Sequence, residues 1–313
     1  MAEVTVVGAG VVGMTTALAL LEVGHRVRVV TADPVAETTS AVAAAVWFPT
    51  RVGPPDRVLR WGRVTFGVFV EQARTRVPGV LMRESLALYR EPPGTPDWAA
   101  TLGDVRAARS DELPPGYPYG LRFAVPLAVM PRYLDWLADA IVRRGGAFTH
   151  RRIDTLDEVA GCDVLVNCTG LGARALVDDT TVYPVRGQVV RVTDPGLPLS
   201  VRDEHHPAGR AYVHPRGADC ILGGTLDDHQ WDTAVNAATA EAILERCCDL
   251  VPALRGVTVL GHAVGLRPGR PAVRLEEDAP LKSGARLVHN YGHGGAGMTL
   301  SWGCAREVAA LAA

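Results

Sequence analysis

Val4 to Val7 is a short β-branched run that stops at Gly8-Ala9-Gly10-Val11-Val12-Gly13, and from Val11 to Val23 the chain turns helical and rich in Ala and Leu. A G-x-G-x-x-G run alone is a weak signal; between a strand and a helix it leaves few folds open. Gly8 permits the tight turn, Gly10 lets a pyrophosphate approach the backbone, and Gly13 lets helix and strand pack closely. The helix N-terminus then offers free N–H groups to the phosphates. Gly24 stops the helix and Val27 to Val30 is β-branched again, so residues 4–30 read as a β-α-β unit of a parallel sheet. Dinucleotide binding is the expectation, a purely structural turn the alternative. An acid about 20 residues past the glycines would hold a ribose hydroxyl. Asp33 is the candidate, just beyond the usual strand-tip position, which holds Thr31. A helix cap or a solvated loop acid is the alternative for it.

The chain closes on a second turn of this kind: strand Leu287 to Asn290, glycines from Gly292 to Gly297, helix Leu300 to Leu311. Two such turns are unusual for a nicotinamide dehydrogenase. A C-terminal helix aimed at the far end of a flavin is expected of FAD oxidoreductases, where its positive end stabilises an anionic reduced ring. A packing turn is the alternative.

At 313 residues the chain suits two lobes. Helices are expected at about Asp56 to Arg74, Pro131 to Arg144 and Thr239 to Leu250. Period-two runs at 187–192, 211–214 and 220–223 read as an antiparallel sheet. The expected fold class is α/β. Residues 1–50, 131–182 and 262–313 would form a discontinuous Rossmann-type FAD-binding domain. Residues 51–130 and 183–261 would form an inserted α+β substrate-binding domain on the antiparallel sheet.

A net charge of −2 gives no field for nucleic acid. Lys282 is the only lysine, and no function is assigned to that bias. Cys162, Cys168, Cys220, Cys247, Cys248 and Cys304 form no CxxC pair and no zinc-ligand spacing, so no metal is expected and buried thiols in a reducing compartment are. No leader pattern, membrane span or peroxisomal address is read, which makes cytoplasmic the expected location, as monomer or homodimer.

Several segments occur together in a specific order: Val6 to Gly13, Thr38-Thr39-Ser40 through Trp47, Val166-Asn167-Cys168-Thr169-Gly170, Gly265-Leu266-Arg267-Pro268 with Val273-Arg274-Leu275, and Asn290-Tyr291-Gly292-His293-Gly294-Gly295 with Trp302-Gly303. In these the chain resembles the D-amino-acid oxidase family over nearly its whole length. The resemblance implies FAD, lined by Gly8, Ala9, Gly10, Val11, Val12, Gly13, Thr38, Thr39, Ser40, Ala45, Val46, Ile153, Thr169, Gly170, Gly294, Gly295, Ala296, Gly297, Met298 and Thr299. It implies that Arg267 holds the substrate carboxylate, that Tyr212 supports it, and that the Gly295 carbonyl accepts a bond from the substrate amine. The implied activity is oxidative deamination of D-amino acids by hydride transfer from Cα to flavin, with O2 as acceptor and α-keto acid, ammonia and hydrogen peroxide as products. A D-aspartate oxidase, or a glycine or sarcosine oxidase of similar architecture, is the alternative.

The residue chemistry agrees. A planar guanidinium grips a carboxylate through two parallel bonds, each netting on the order of 1.5–3 kcal/mol. Gripping carboxylate and amine at fixed points leaves the Cα–H of one enantiomer facing the flavin, and a neutral amine needs no protein acid or base. Arg270 and Arg274 are rivals to Arg267 for the anchor role, Tyr212 could be an ordinary sheet residue, and His293 reads as serving backbone geometry. The resemblance implies a second aromatic on the loop closing the pocket; Ala208-Gly209-Arg210-Ala211 stands in that stretch, so a more open lid is expected. Arg202 resembles the D-aspartate oxidase branch, where a second cation holds a side-chain carboxylate; for Arg202, His205, His206 and Arg210 a solvated loop is the preferred reading.

Overall fold

The computed structural model of the chain describes residues 1–49, 52–159 and 161–313. In chain order it contains β1 (Glu3–Val7), α1 (Val11–Glu22), β2 (Arg26–Thr31), α2 (Pro55–Arg74), β3 (Val80–Tyr89), α3 (Ala99–Leu102), β4 (Val105–Ala107) and β5 (Tyr119–Ala128). There follow α4 (Met130–Arg143), β6 (Ala147–His150), β7 (Val164–Asn167), α5 (Ala173–Leu176), β8 (Tyr183–Thr193), β9 (Ser200–Asp203), β10 (Ala211–Pro215) and β11 (Asp219–Gly223). The chain ends with β12 (Asp227–Asp228), α6 (Ala237–Leu250), β13 (Val259–Gly269), β14 (Arg274–Asp278), β15 (Arg286–Tyr291) and α7 (Gly297–Ala312).

Among the described residues one sheet has the order β14-β15-β7-β1-β2-β6, parallel except at β14. This is a Rossmann-type sheet. The chain leaves β1 toward β2 on one side and returns to β7 on the other, so the strand order reverses there, and the carboxyl ends beside that reversal are where such sheets bind ligands. α1 is apolar on every side and buried from Met14 to Leu20, as a helix between a sheet and other helices must be. Its two buried threonines satisfy their hydroxyls on the Val11 and Val12 carbonyls.

The second sheet runs β12-β8-β11-β10-β9-β3-β5-β4, with β13 also on β8. α6 covers one part of it through Ile243, Cys247 and Leu250 against Val190, Val192, Val213 and Leu222. β13 departs from the expected partition. Residues 262–269 pair antiparallel with β8, His262 opposite Val190 through Gly269 opposite Tyr183, so they build the second sheet and the first resumes at β14. Gly265 and Pro268 break the alternation that would have marked a strand. Proline is tolerated because β13 pairs on one edge only. The boundary expected at 50/51 lies outside the described residues.

α2 presents Val58, Trp61, Thr65, Phe69 and Gln72 at helical spacing, and this face lies on α7. The approach is close: a Cβ on Gly303 would overlap the Trp61 backbone, and the Gly303 N–H donates to Thr65 Oγ1 at 2.9 Å. Gly303→Ala therefore overpacks this contact. The expected cost is on the order of 1–3 kcal/mol, a fall in Tm of roughly 2–5 °C in a thermal melt of the apoprotein.

Candidate active site

A cavity of about 710 Å³ opens between the carboxyl ends of β1 and β7 and the face of β8, β10 and β13. Its glycine wall is built by close approach. A Cβ on Gly8 would overlap the Cys168 carbonyl, and one on Gly13 the Gly8 carbonyl. Gly13 therefore lies behind the cavity and lets α1 sit against the turn, while Gly8, Ala9, Gly10, Val11 and Val12 line it. Ser40 Oγ accepts the Val11 N–H at 2.9 Å, which ties the 38–40 segment to the start of α1. Thr39 Oγ1 donates to the Leu266 carbonyl at 3.0 Å, which ties the same segment to β13.

Thr38, Thr39, Ser40, Ala45, Val46, Ile153, Thr169 and Gly170 also line the cavity, as do Gly294, Gly295, Gly297, Met298 and Thr299. Ala296 does not; it is packed into the core. The N-terminus of α7 carries no acid in its first turn, so its positive end is left for a ligand. Asp33 lines the opposite stretch, its carboxylate 3.3 Å from Arg152 and its carbonyl accepting from Thr31 Oγ1 at 2.8 Å.

Arg267 projects from β13 over Gly187 of β8, where a Cβ would overlap its guanidinium, with Gly295 on its other flank. Nη1 donates to the Thr225 carbonyl at 3.1 Å, and among the described residues no carboxylate pairs with it. Burial lowers its pKa, and Tyr212 beside it opposes that. Its sequence rivals are occupied elsewhere: Arg270 pairs with Asp179 at 2.9 Å, and Arg274 with Glu276 and Asp278 at 2.7 Å. Neither lines the cavity. Tyr212 lies against Gly223 and Gly224, and its ring stacks on His214 at 4.8 Å and 15°. His214 was not singled out, although alternation along β10 puts it on the Tyr212 face.

Arg202 corrects the solvated-loop reading. It is 4% exposed on β9, lies over the Phe48 ring at 4.1 Å, and lines the cavity; among the described residues its Nε and Nη2 have no hydrogen-bond partner. Arg210 lines the cavity too, paired with Glu204 at 2.6 Å. His205 is exposed and, like His206, stays out of the cavity. His293 is buried at the cavity wall, and burial pushes it down to about 4.

A family model described as FAD dependent oxidoreductase matches residues 3–311. The chain belongs to this family. It is 51% identical over 313 residues to a D-amino-acid oxidase of Rubrobacter xylanophilus, covering 99% of this chain and 96% of that one. A D-amino-acid oxidase of Streptomyces coelicolor is 44% identical with the same coverage, and a D-aspartate oxidase of Homo sapiens 36% identical, covering 99% and 94%. Among solved structures a glycine oxidase from Bacillus cereus matches with a TM-score of 0.80 at 22% identity, covering 99% and 94%, a likeness of fold. The residues present fit the family's FAD. The turn after β1 carries no side chain larger than a methyl, the N-cap Gly10 of α1 offers no side-chain cap, and two helix N-termini reach one cavity.

The Ser40 clip gives a test independent of turnover. Ser40→Ala leaves the Val11 N–H without its acceptor and frees the segment. The FAD Kd of the apoprotein, measured by flavin fluorescence titration, is expected to rise about three- to tenfold.

Proposed function

We propose that this chain oxidises D-amino acids to α-imino acids, which hydrolyse to α-keto acids and ammonia, with O2 reduced to hydrogen peroxide. The observation that carries this is Arg267, a cavity-lining guanidinium that holds no carboxylate and sits between Tyr212 and Gly295. The D-amino-acid oxidases at 51% and 44% identity support the same substrate class.

The residues from Gly8 to Val12, the 38–40 segment, Ala45, Val46, Ile153, Thr169, Gly170 and the turn into α7 would hold the FAD, with Asp33 as the acid for a ribose hydroxyl and Gly13 and Ala296 shaping the site from behind. When bound, it would supply the two-electron acceptor for the substrate Cα–H bond and the means of reducing O2. Everything else is orientation. Arg267 grips the α-carboxylate through two parallel bonds, with Tyr212 as a further donor. The Gly295 carbonyl accepts from the neutral amine, which fixes the third direction and so the enantiomer. No side chain is required as acid or base. The lobe partition that follows is 1–50, 131–182 and 270–313 for the cofactor, 51–130 and 183–269 for the substrate.

Arg202 favours acidic side chains as well. A buried guanidinium with unsatisfied donors is costly, and a substrate carboxylate would supply what is missing. Arg202, Arg210 and Arg267 all line the cavity, and the Glu204 carboxylate among them is paired with Arg210. The D-aspartate oxidase relative points the same way. Six free thiols support the cytoplasmic location.

A peroxide assay across neutral, acidic and basic amino acids of both configurations tests the proposal. Peroxide from D-amino acids alone is expected; peroxide from L-amino acids only, or from none, removes it. In the same panel Arg267→Ala is expected to keep its flavin absorbance and lose roughly 10²- to 10⁴-fold in kcat/KM, the loss of two charge-assisted bonds. Arg202→Leu is expected to lose about tenfold or more on D-aspartate while D-alanine changes less than about threefold.

A further inference from the structure

Thr169 and Gly170 stand at the cavity wall directly after β7. What holds Thr169 is a chain of polar groups running back into the sheet. Asn167 Oδ1 accepts the Thr169 N–H at 3.2 Å and the Thr169 Oγ1–H at 2.7 Å. With its oxygen used twice, the amide must turn Nδ2 toward His289 Nδ1, 3.3 Å away. An amide nitrogen is only a donor, so Nδ1 is the unprotonated acceptor and the ring proton sits on Nε2. Nε2 lies 3.1 Å from Asp278 Oδ2, which also takes Arg274 Nη2 at 2.7 Å.

Asn167 and His289 face each other in the register of β7 and β15, and both are 0% exposed, so no solvent substitutes for a lost partner. The other groups acting on the ring are Arg274, Glu276 and Asp278; burial first, then Arg274, holds the imidazole below its ordinary range against the two acids, so the ring is neutral. A neutral imidazole has two tautomers, and only one fits this chain.

We propose that His289 is a positioning residue for the cofactor: Asp278 selects its Nε2–H tautomer, that tautomer turns the Asn167 amide, and the amide oxygen fixes Thr169 at the cavity wall. The logic is that of outer-shell partners that orient the groups touching a bound species. It rests on the reading of Thr169 as a cofactor contact.

Nitrogen-15 NMR of histidine-labelled wild-type protein, with and without FAD, reads the tautomer with no variant that must fold. An unprotonated Nδ1 and a protonated Nε2 in both states are expected; a protonated Nδ1 overturns the proposal. By flavin fluorescence titration of the apoprotein, His289→Leu is expected to raise the FAD Kd about tenfold, and the double variant with Thr169→Val to bind no worse than about threefold below either single one, because both remove the same hold. Asn167→Asp keeps both Thr169 bonds, so its Kd stays within about threefold of wild type while His289, now between two carboxylates, becomes an imidazolium at neutral pH. An unchanged Kd in His289→Leu beside a weakened Thr169→Val overturns the relay alone. An unchanged Kd in Thr169→Val removes Thr169 as a cofactor contact, and the proposed role with it.

Discussion

The antiparallel pairing of β13 with β8 is the constraint from which the rest of the site hangs. It lays Arg267 over the bare backbone of Gly187, where a side chain would overlap the guanidinium. The same strand then runs into β14 of the other sheet, and its Leu266 carbonyl takes the Thr39 hydroxyl. One strand therefore aligns the substrate-facing sheet with the glycine wall. A shift of β13 by one residue would turn Arg267 to the opposite face and put Pro268 in its place.

The neighbouring cations show why position decides function more than residue type. Arg270 and Arg274 stand within a few residues of Arg267, yet each is tied into a carboxylate network with Tyr291 that braces the turn after β15. They brace, and Arg267 is left without a carboxylate among the described residues. A guanidinium partly withdrawn from water carries a desolvation cost, which an anion entering the cavity would help to offset.

The glycine run after β1 and its counterpart before α7 were legible because local sterics alone require them. So was Arg267, framed by prolines that imply a fixed backbone. The strand that carries it was not, because Gly265 and Pro268 hide the alternation and only hydrogen bonds to residues 183–192 make it a strand. Arg202 was misread for a similar reason. Its burial depends on Phe48 and on the anchoring of neighbouring Asp203 by Arg90 and Tyr117, contacts that span more than eighty positions. Asp33 was legible as an acid, but not its partner Arg152. Gly13 and Ala296 belong to the right motifs and lie one layer behind the surface that a motif describes.

Burial also gives the site a fixed charge pattern. His293 is held neutral down to about 4 and His214 is pushed well below the usual imidazole range, while the Cys168 thiol is raised to about 12 and the Tyr212 phenol is raised as well. For the histidines a lowered pKa means the neutral ring persists above it; for the thiol and phenol a raised one means the neutral form persists below it. Between those limits these four groups add no charge, and the guanidiniums keep theirs. Orientation by fixed charge needs that constancy. Under the proposed binding mode, a histidine that protonated beside Arg267 would add a further positive centre to those of Arg202, Arg210 and Arg267 and draw a carboxylate away from Arg267. The low-dielectric wall around Tyr212, His214 and His293 therefore protects the direction of binding as much as its strength.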